Sequence, residues 1–195
     1  HSALSGIAAG PSVLFIHGIN VSMDYFEPAI LAPFESTGFR VIRLDVRGHG
    51  LSEKLTSPTS LSELSCDVLG LMDQLGIEKF AVIGHSMGGA IAQQLAIQAT
   101  SRVTALVLVA TSSRVSRGVR AWYEKSAIES EQAGIPWMAA VLRAISSYNM
   151  DKELVNLKMP VLILGGDTDP LTPVRACEII KEHIPHAEYQ IFAQQ

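Results

Sequence analysis

The stretch Gly84-His85-Ser86-Met87-Gly88-Gly89 sets a serine among small neighbours. It comes directly after an apolar run, Phe80 to Ile83, and directly before the Ala- and Gln-rich segment Met87 to Ala99. The first run reads as a strand and the second as a helix. A strand that turns straight into a helix forces the residue at the apex into strained backbone angles, so the residues two before and two after must lack bulk. Gly84 and Gly88 meet that need, and the turn lifts the Ser86 hydroxyl clear of the sheet. Such a serine is built for nucleophilic attack on an acyl carbon. The N–H of Met87, in the first turn of the helix, points to where an oxyanion would form. The alternative is an ordinary glycine-rich connection.

Acyl transfer needs three more groups. A second N–H donor is expected from the loop His17-Gly18-Ile19-Asn20 after the run Val13 to Ile16, and is assigned to Ile19. An acid is expected after a later strand, and Gly165 to Pro173 follows the run that ends at Leu164. Asp167 and Asp169 both stand there, and aspartates in such turns also bond their own backbone. The third group is a histidine base, last in the order serine, acid, histidine.

None of the six histidines fits that place. His183 and His186 precede the last apolar run. A strand of about six residues at ~3.3 Å each therefore separates them from Ser86, roughly 20 Å in all. His17 and His85 lie at the correct end but adjoin the oxyanion glycine and the nucleophile, and read as hydrogen-bonded structural groups. The base is expected beyond Gln195 or in a segment the sequence does not include, so residues 1–195 alone should turn over esters poorly. No metal is expected, because His17, His49 and His85 lack ligand-pair spacing.

The elements that must hold these groups alternate along the chain. Val13 to Ile16 and Arg40 to Asp45 read as buried strands. Ser60 to Leu75 has apolar residues at helical spacing, with Gly76 closing it. Val103 to Ala110 is a β-branched strand, Pro160 to Leu164 another, and Ala187 to Ala193 the last. A helix from Pro173 to Ile184 is expected, opened by Thr172 as N-cap. Alternation of this kind implies a parallel sheet with helices on both faces. Between them, Arg114 to Asn156 is helical, polar and holds both tryptophans, which reads as an inserted cap.

The chain resembles the α/β-hydrolase superfamily from about Pro11 to Ala193. The likeness rests on the His17-Gly18 pair, the segment Asp45-Val46-Arg47-Gly48-His49-Gly50-Leu51-Ser52, and the Gly84 to Gly89 turn. It implies a mostly parallel doubly wound sheet with a short helical cap at about 112–156, in one domain over 1–195 that reads as incomplete at both ends. It implies that Ile19 donates to the oxyanion and that the Asp45 to Ser52 segment is a structural loop beside the site, with His49 only packing. Gly166, Asp169 and Pro173 fit the family pattern G-x-x-D-x-x-x-P, which favours Asp169 over Asp167 as the acid. Serine at the elbow separates the chain from haloalkane dehalogenases and epoxide hydrolases, which carry aspartate there.

The reaction implied is hydrolysis of a carboxylic ester or related acyl compound through an acyl-enzyme, with no cofactor. Enol-lactone hydrolases, carbon–carbon bond hydrolases and cofactor-free perhydrolases resemble the chain as well. A rival of another class is a non-catalytic binding protein on the same fold. Trp122, Tyr123, Trp137 and Met138 are many large groups for a solvated insertion; they either roof a substrate pocket or bind the cap helices together.

Composition narrows the partners. With 195 residues, 48% of them hydrophobic, the chain suits one domain with a large core. A net charge of -4 without a basic stripe argues against nucleic acid. No apolar run nears the roughly 20 residues of a membrane helix. Cys66 and Cys177 read as buried free thiols within helices. No signal peptide is visible, so the expectation is a cytoplasmic monomer or homodimer acting on a small acyl substrate.

Overall fold

The computed structural model describes residues 1–193, which form a seven-stranded sheet in the order β1-β3-β2-β4-β5-β6-β7. The strands are β1 (Ser2–Gly6), β2 (Ser12–Ile16), β3 (Arg40–Leu44), β4 (Phe80–His85), β5 (Val103–Val109), β6 (Val161–Gly166) and β7 (Glu188–Phe192). All neighbours run parallel except β1, which pairs antiparallel with β3. The sheet thus begins one strand earlier than the sequence suggests. Ser2–Gly6 is short, half polar and partly exposed, as an edge strand is, so no apolar run announces it.

Alternation along the strands divides the core into two layers. Leu14, Ile42, Val82, Leu106 and Val161 share one row of the sheet and are buried among α2 (Leu61–Gln74), α3 (Met87–Gln98) and α7 (Val174–His183). Their neighbours Val13, Phe15, Val41 and Ile83 face the other way, where Phe26 and α1 (Pro28–Ser36) cover them. Two T-shaped contacts seat Phe15, one on Phe26 at 5.1 Å and one on Phe34 at 5.2 Å.

Helix ends follow local chemistry. Ser60 caps α2 by accepting from the Glu63 N–H at 3.2 Å and donating to the Glu63 carboxylate at 2.9 Å, and Gly76 leaves the helix at φ 66°. At α7 the expectation fails in detail: Pro173, not Thr172, is the N-cap, with no side-chain cap bond. The Thr172 hydroxyl is turned to Asp169 instead. Cys66 is also exposed rather than buried, on the outer side of α2, while Cys177 is buried as expected.

The insertion between β5 and β6 carries α4 (Arg117–Gln132), α5 (Pro136–Ala144) and α6 (Asp151–Leu154). Its two ends are zipped together: Val115 N–H donates to Tyr148 O at 3.1 Å and Met150 N–H to Ser113 O at 2.9 Å. The insertion therefore leaves and rejoins the sheet at a single neck. Among the described residues no helix is long and apolar enough to cross a membrane.

Candidate active site

The strand order places the site. From β2 the chain moves to β3 on one side and then to β4 on the other, so the loops that leave β2 and β4 diverge and open a crevice at their C-terminal ends. Ser86 leaves β4 on one wall of that crevice, and Gly18-Ile19 leave β2 on the other. The loops after β5 and β6 continue the row, because Gly84, Leu108 and Ile163 stand side by side.

Ser86 has φ 52° and ψ -115°, the strained apex that the glycine spacing requires. A methyl on Gly88 would overlap the carbonyl oxygens of Ile16 and His17, and one on Gly84 would overlap the Gly88 backbone. The turn is pinned from β5: Ser86 N–H donates to Val109 O at 2.9 Å, and the Thr111 hydroxyl donates to Ser86 O at 2.8 Å. Among the described residues, those other than glycine with positive φ are Asn20, Ser86 and Ala110, and all three follow the C-terminal ends of neighbouring strands β2, β4 and β5. Strain is thus concentrated around one point.

Ile19, Ser86 and Met87 line a single cavity of about 330 Å³. Met87 is the first residue of α3, so its N–H has no acceptor one turn earlier in the helix. The Gly18 α-carbon is bare on the side of the nucleophile, where an added methyl would lie 3.4 Å from the Ser86 Cβ and 3.0 Å from the His85 Nδ1. Ile19 also packs on the small cap core of Ala127, Ala139 and Leu142, which ties the loop after β2 to the insertion.

Asp169 accepts from the N–H groups of Leu171 at 2.8 Å and Thr172 at 2.9 Å and from the Thr172 hydroxyl. Partial burial opposes its ionisation, but these bonds and the nearby His85 ring outweigh burial and hold the carboxyl below its usual range. The acid is thus ionised and oriented, with Pro170 to Pro173 after it forming part of the cavity wall. The Asp167 N–H donates to Phe192 O at 3.1 Å, continuing the ladder between β6 and β7.

No histidine is hydrogen-bonded to Ser86 or Asp169 among the described residues. His17 is committed at both ring nitrogens: Nδ1 contacts Gly18 O at 2.7 Å and Nε2 accepts from Val46 N–H at 3.0 Å. These partners assign the neutral Nδ1–H tautomer, and burial lowers the pKa accordingly. His85 stacks on Tyr25 at 4.8 Å and burial also lowers its pKa, while the charge of Asp169 pulls the other way. His183 and His186 bond the backbone oxygens of Ile179 and Met159, before β7 begins. A base beyond Gln195 lies outside the described residues.

His49 packs edge-on against His17 at 5.1 Å, buried and neutral, its pKa pushed down to about 4 first by burial and then by the neighbouring His17. Asp45 organises the rest of its loop, accepting from Met23 N–H at 2.8 Å and Leu51 N–H at 2.9 Å.

The cap residues divide. Trp122 and Tyr123 line the Ser86 cavity. Trp137 and Met138 do not; they line a second, shallower hollow with Asn20, His49 and Lys54, whose ammonium lies 5.8 Å from the Trp137 ring centre. The difference lies in the helices that carry them: Trp122 is on α4, which borders the Ser86 cavity and leaves the ring partly exposed, and Trp137 is on α5, beside the Gly48 loop. Residues not foreseen also line the cavity: Ser112 and Tyr148, whose hydroxyls lie 3.0 Å apart, and Arg114 and Arg175. Nothing local marks them, because the cavity gathers them from three separate segments of the chain, Ser112 and Arg114 after β5, Tyr148 before α6 and Arg175 in α7.

The alpha/beta hydrolase fold family matches residues 11–127, more than half of the chain. 3-Oxoadipate enol-lactonase 2 of Acinetobacter baylyi is 25% identical over 224 aligned positions, covering 97% of this chain and 83% of the relative. The pimeloyl-[acyl-carrier protein] methyl ester esterase of Nitrosomonas europaea is also 25% identical, over 94% and 87%. Among solved structures, the enol-lactonase from Burkholderia xenovorans superposes with a TM-score of 0.84 at 25% identity, over 98% of this chain and 87% of that one. With a serine on a strained strand-to-helix turn, two candidate oxyanion donors and an ordered acid at the C-terminal edge of a mostly parallel sheet, the chain belongs to the alpha/beta hydrolase fold family.

Proposed function

We propose that this protein is a serine hydrolase that cleaves a carboxylic ester through an acyl-enzyme. The observation that carries the reading is Ser86 at φ 52°, raised between β4 and α3 into the cavity it shares with Ile19 and Met87. Ser86 Oγ attacks the acyl carbon as its proton passes to a histidine base. The N–H groups of Ile19 and Met87 hold the oxyanion. The alcohol leaves with the proton, and water then attacks the acyl carbon and frees Ser86. Asp169 orients the base. No histidine among the described residues is assigned as the base.

A lactone is an internal ester, and the same steps open it; the enol-lactonases among the relatives make lactones the second substrate type to try. The exposed thiol of Cys66 suits a reducing compartment and supports a cytoplasmic setting. The test is to treat the full-length protein, base included, with a fluorophosphonate and map the adduct by mass spectrometry. Labelling confined to Ser86 and lost in Ser86→Ala is the expected result. Labelling of another serine, or none at all, would refute the assignment, and p-nitrophenyl esters of graded length then measure the acyl preference.

A further inference from the structure

Two arginines from distant parts of the chain meet on the Ser86 cavity. Arg114 stands at the neck of the insertion and Arg175 in the first turn of α7. Both line the same cavity as Ser86, and Glu182 accepts from Arg175. Their side chains are 48% and 58% exposed, which puts them at the mouth, while Ser86 and Met87 lie deeper. Val119, Trp122, Leu171 and Ile179 give the same cavity apolar surface, with Trp122 and Leu171 themselves exposed.

The two arginines are held differently. Asp151 is buried; one of its oxygens accepts the Ser113 hydroxyl at 2.5 Å and the other an Arg114 N–H at 2.9 Å. Arg114 is thereby fixed, with a single hydrogen bond of its five donors used among the described residues. Among the described residues Arg175 is paired with Glu178 and Glu182, exposed carboxylates on its own helix. These partners are solvated and unburied, so a substrate carboxylate competes with them for the guanidinium. Arg175 also sits at the positive end of α7, whose N-terminus has no side-chain cap and lines the same cavity.

We propose that the substrate carries a carboxylate at the end remote from the bond that is cleaved, and that Arg114 and Arg175 bind it at the mouth of the cavity. This rests on the ester-hydrolase reading, and names the substrate class within it. The apolar wall takes a short methylene chain, the forked guanidiniums take the carboxylate, and the ester carbonyl is left beside Ser86. The arginines bind and position the substrate; no bond is made or broken at them.

The test uses two esters that differ only in that charge, monomethyl adipate and dimethyl adipate. Binding is measured by calorimetry with Ser86→Ala, so that neither is turned over. The monoanion should bind at least about tenfold more tightly at low salt, and the advantage should shrink as salt rises. Arg175→Gln should remove most of the advantage and leave dimethyl adipate unchanged. Arg114→Gln alone strands buried Asp151, so the second variant is Arg114→Gln with Asp151→Asn, which should do the same. Equal affinity for the two esters, binding of neither, or a preference that survives both variants overturns the proposal. Fluorophosphonate labelling of Ser86 is independent of these arginines, so it decides the hydrolase reading separately.

Discussion

At the scale of single residues, the site depends on groups that allow no substitute. Asp169 has both carboxylate oxygens held by Leu171 and Thr172, and its charge reaches His85, whereas the Asp167 backbone continues the β6–β7 ladder. Asp169→Asn is expected to lower kcat by about a thousandfold or more, since the amide holds the wrong histidine tautomer, and Asp167→Asn by less than about tenfold. Steady-state kinetics of the two variants on one ester decides between them; an equal or larger loss for Asp167→Asn reverses the assignment. Gly88 has no room for a side chain, because a methyl would enter the Ile16 and His17 carbonyls at the end of β2. Gly88→Ala should cost upwards of about 3 kcal/mol in urea unfolding, and abolish Ser86 labelling in the fraction that folds.

At the scale of elements, the insertion has two working sides. The neck and α4 bring Trp122, Arg114 and Tyr148 to the cavity, while α5 turns Trp137 and Met138 toward the Gly48 loop. Trp122→Ala should therefore shift the preference among p-nitrophenyl esters toward longer chains. Trp137→Ala should leave that preference unchanged and lower stability by about 2 kcal/mol, because its ring is only partly buried against the core. Thermal melts and a chain-length series on both variants give the answer, and a changed preference in Trp137→Ala would show that α5 also reaches the substrate. The capping box that starts α2 is local by comparison; Ser60→Ala should cost about 1 kcal/mol with kinetics untouched.

At the scale of the whole molecule, the buried histidines couple folding to pH. His49 binds its proton near pH 4 when folded and near 6.5 when unfolded, so between those values the unfolded chain holds more protons. Stability therefore rises with pH across this window and falls on acidification, by about 3 kcal/mol for His49 alone. Burial pushes His17 and His85 the same way. Denaturant midpoints should drop steadily from pH 6.5 to 4, and His49→Gln should flatten the slope; a midpoint independent of pH would mean that His49 is solvated in the folded state.

The sequence by itself determined the order of strands and helices, the serine turn and the loops that flank it, because each is written over a few adjacent residues. Apolar runs mark strands buried on both faces, and Gly84 and Gly88 mark a close approach of backbones that no other residue allows. The same locality explains what it left out. β1 is a half-exposed edge strand stabilised by pairing with β3, and α1 carries a proline at position 33 that obscures its helical pattern. The direction of Trp137 toward the Gly48 loop and the placing of Arg114 and Arg175 on one cavity were decided by the tertiary structure alone. Each joins segments some sixty or more residues apart, brought together by burial of the core beneath them rather than by any preference of the residues at the rim.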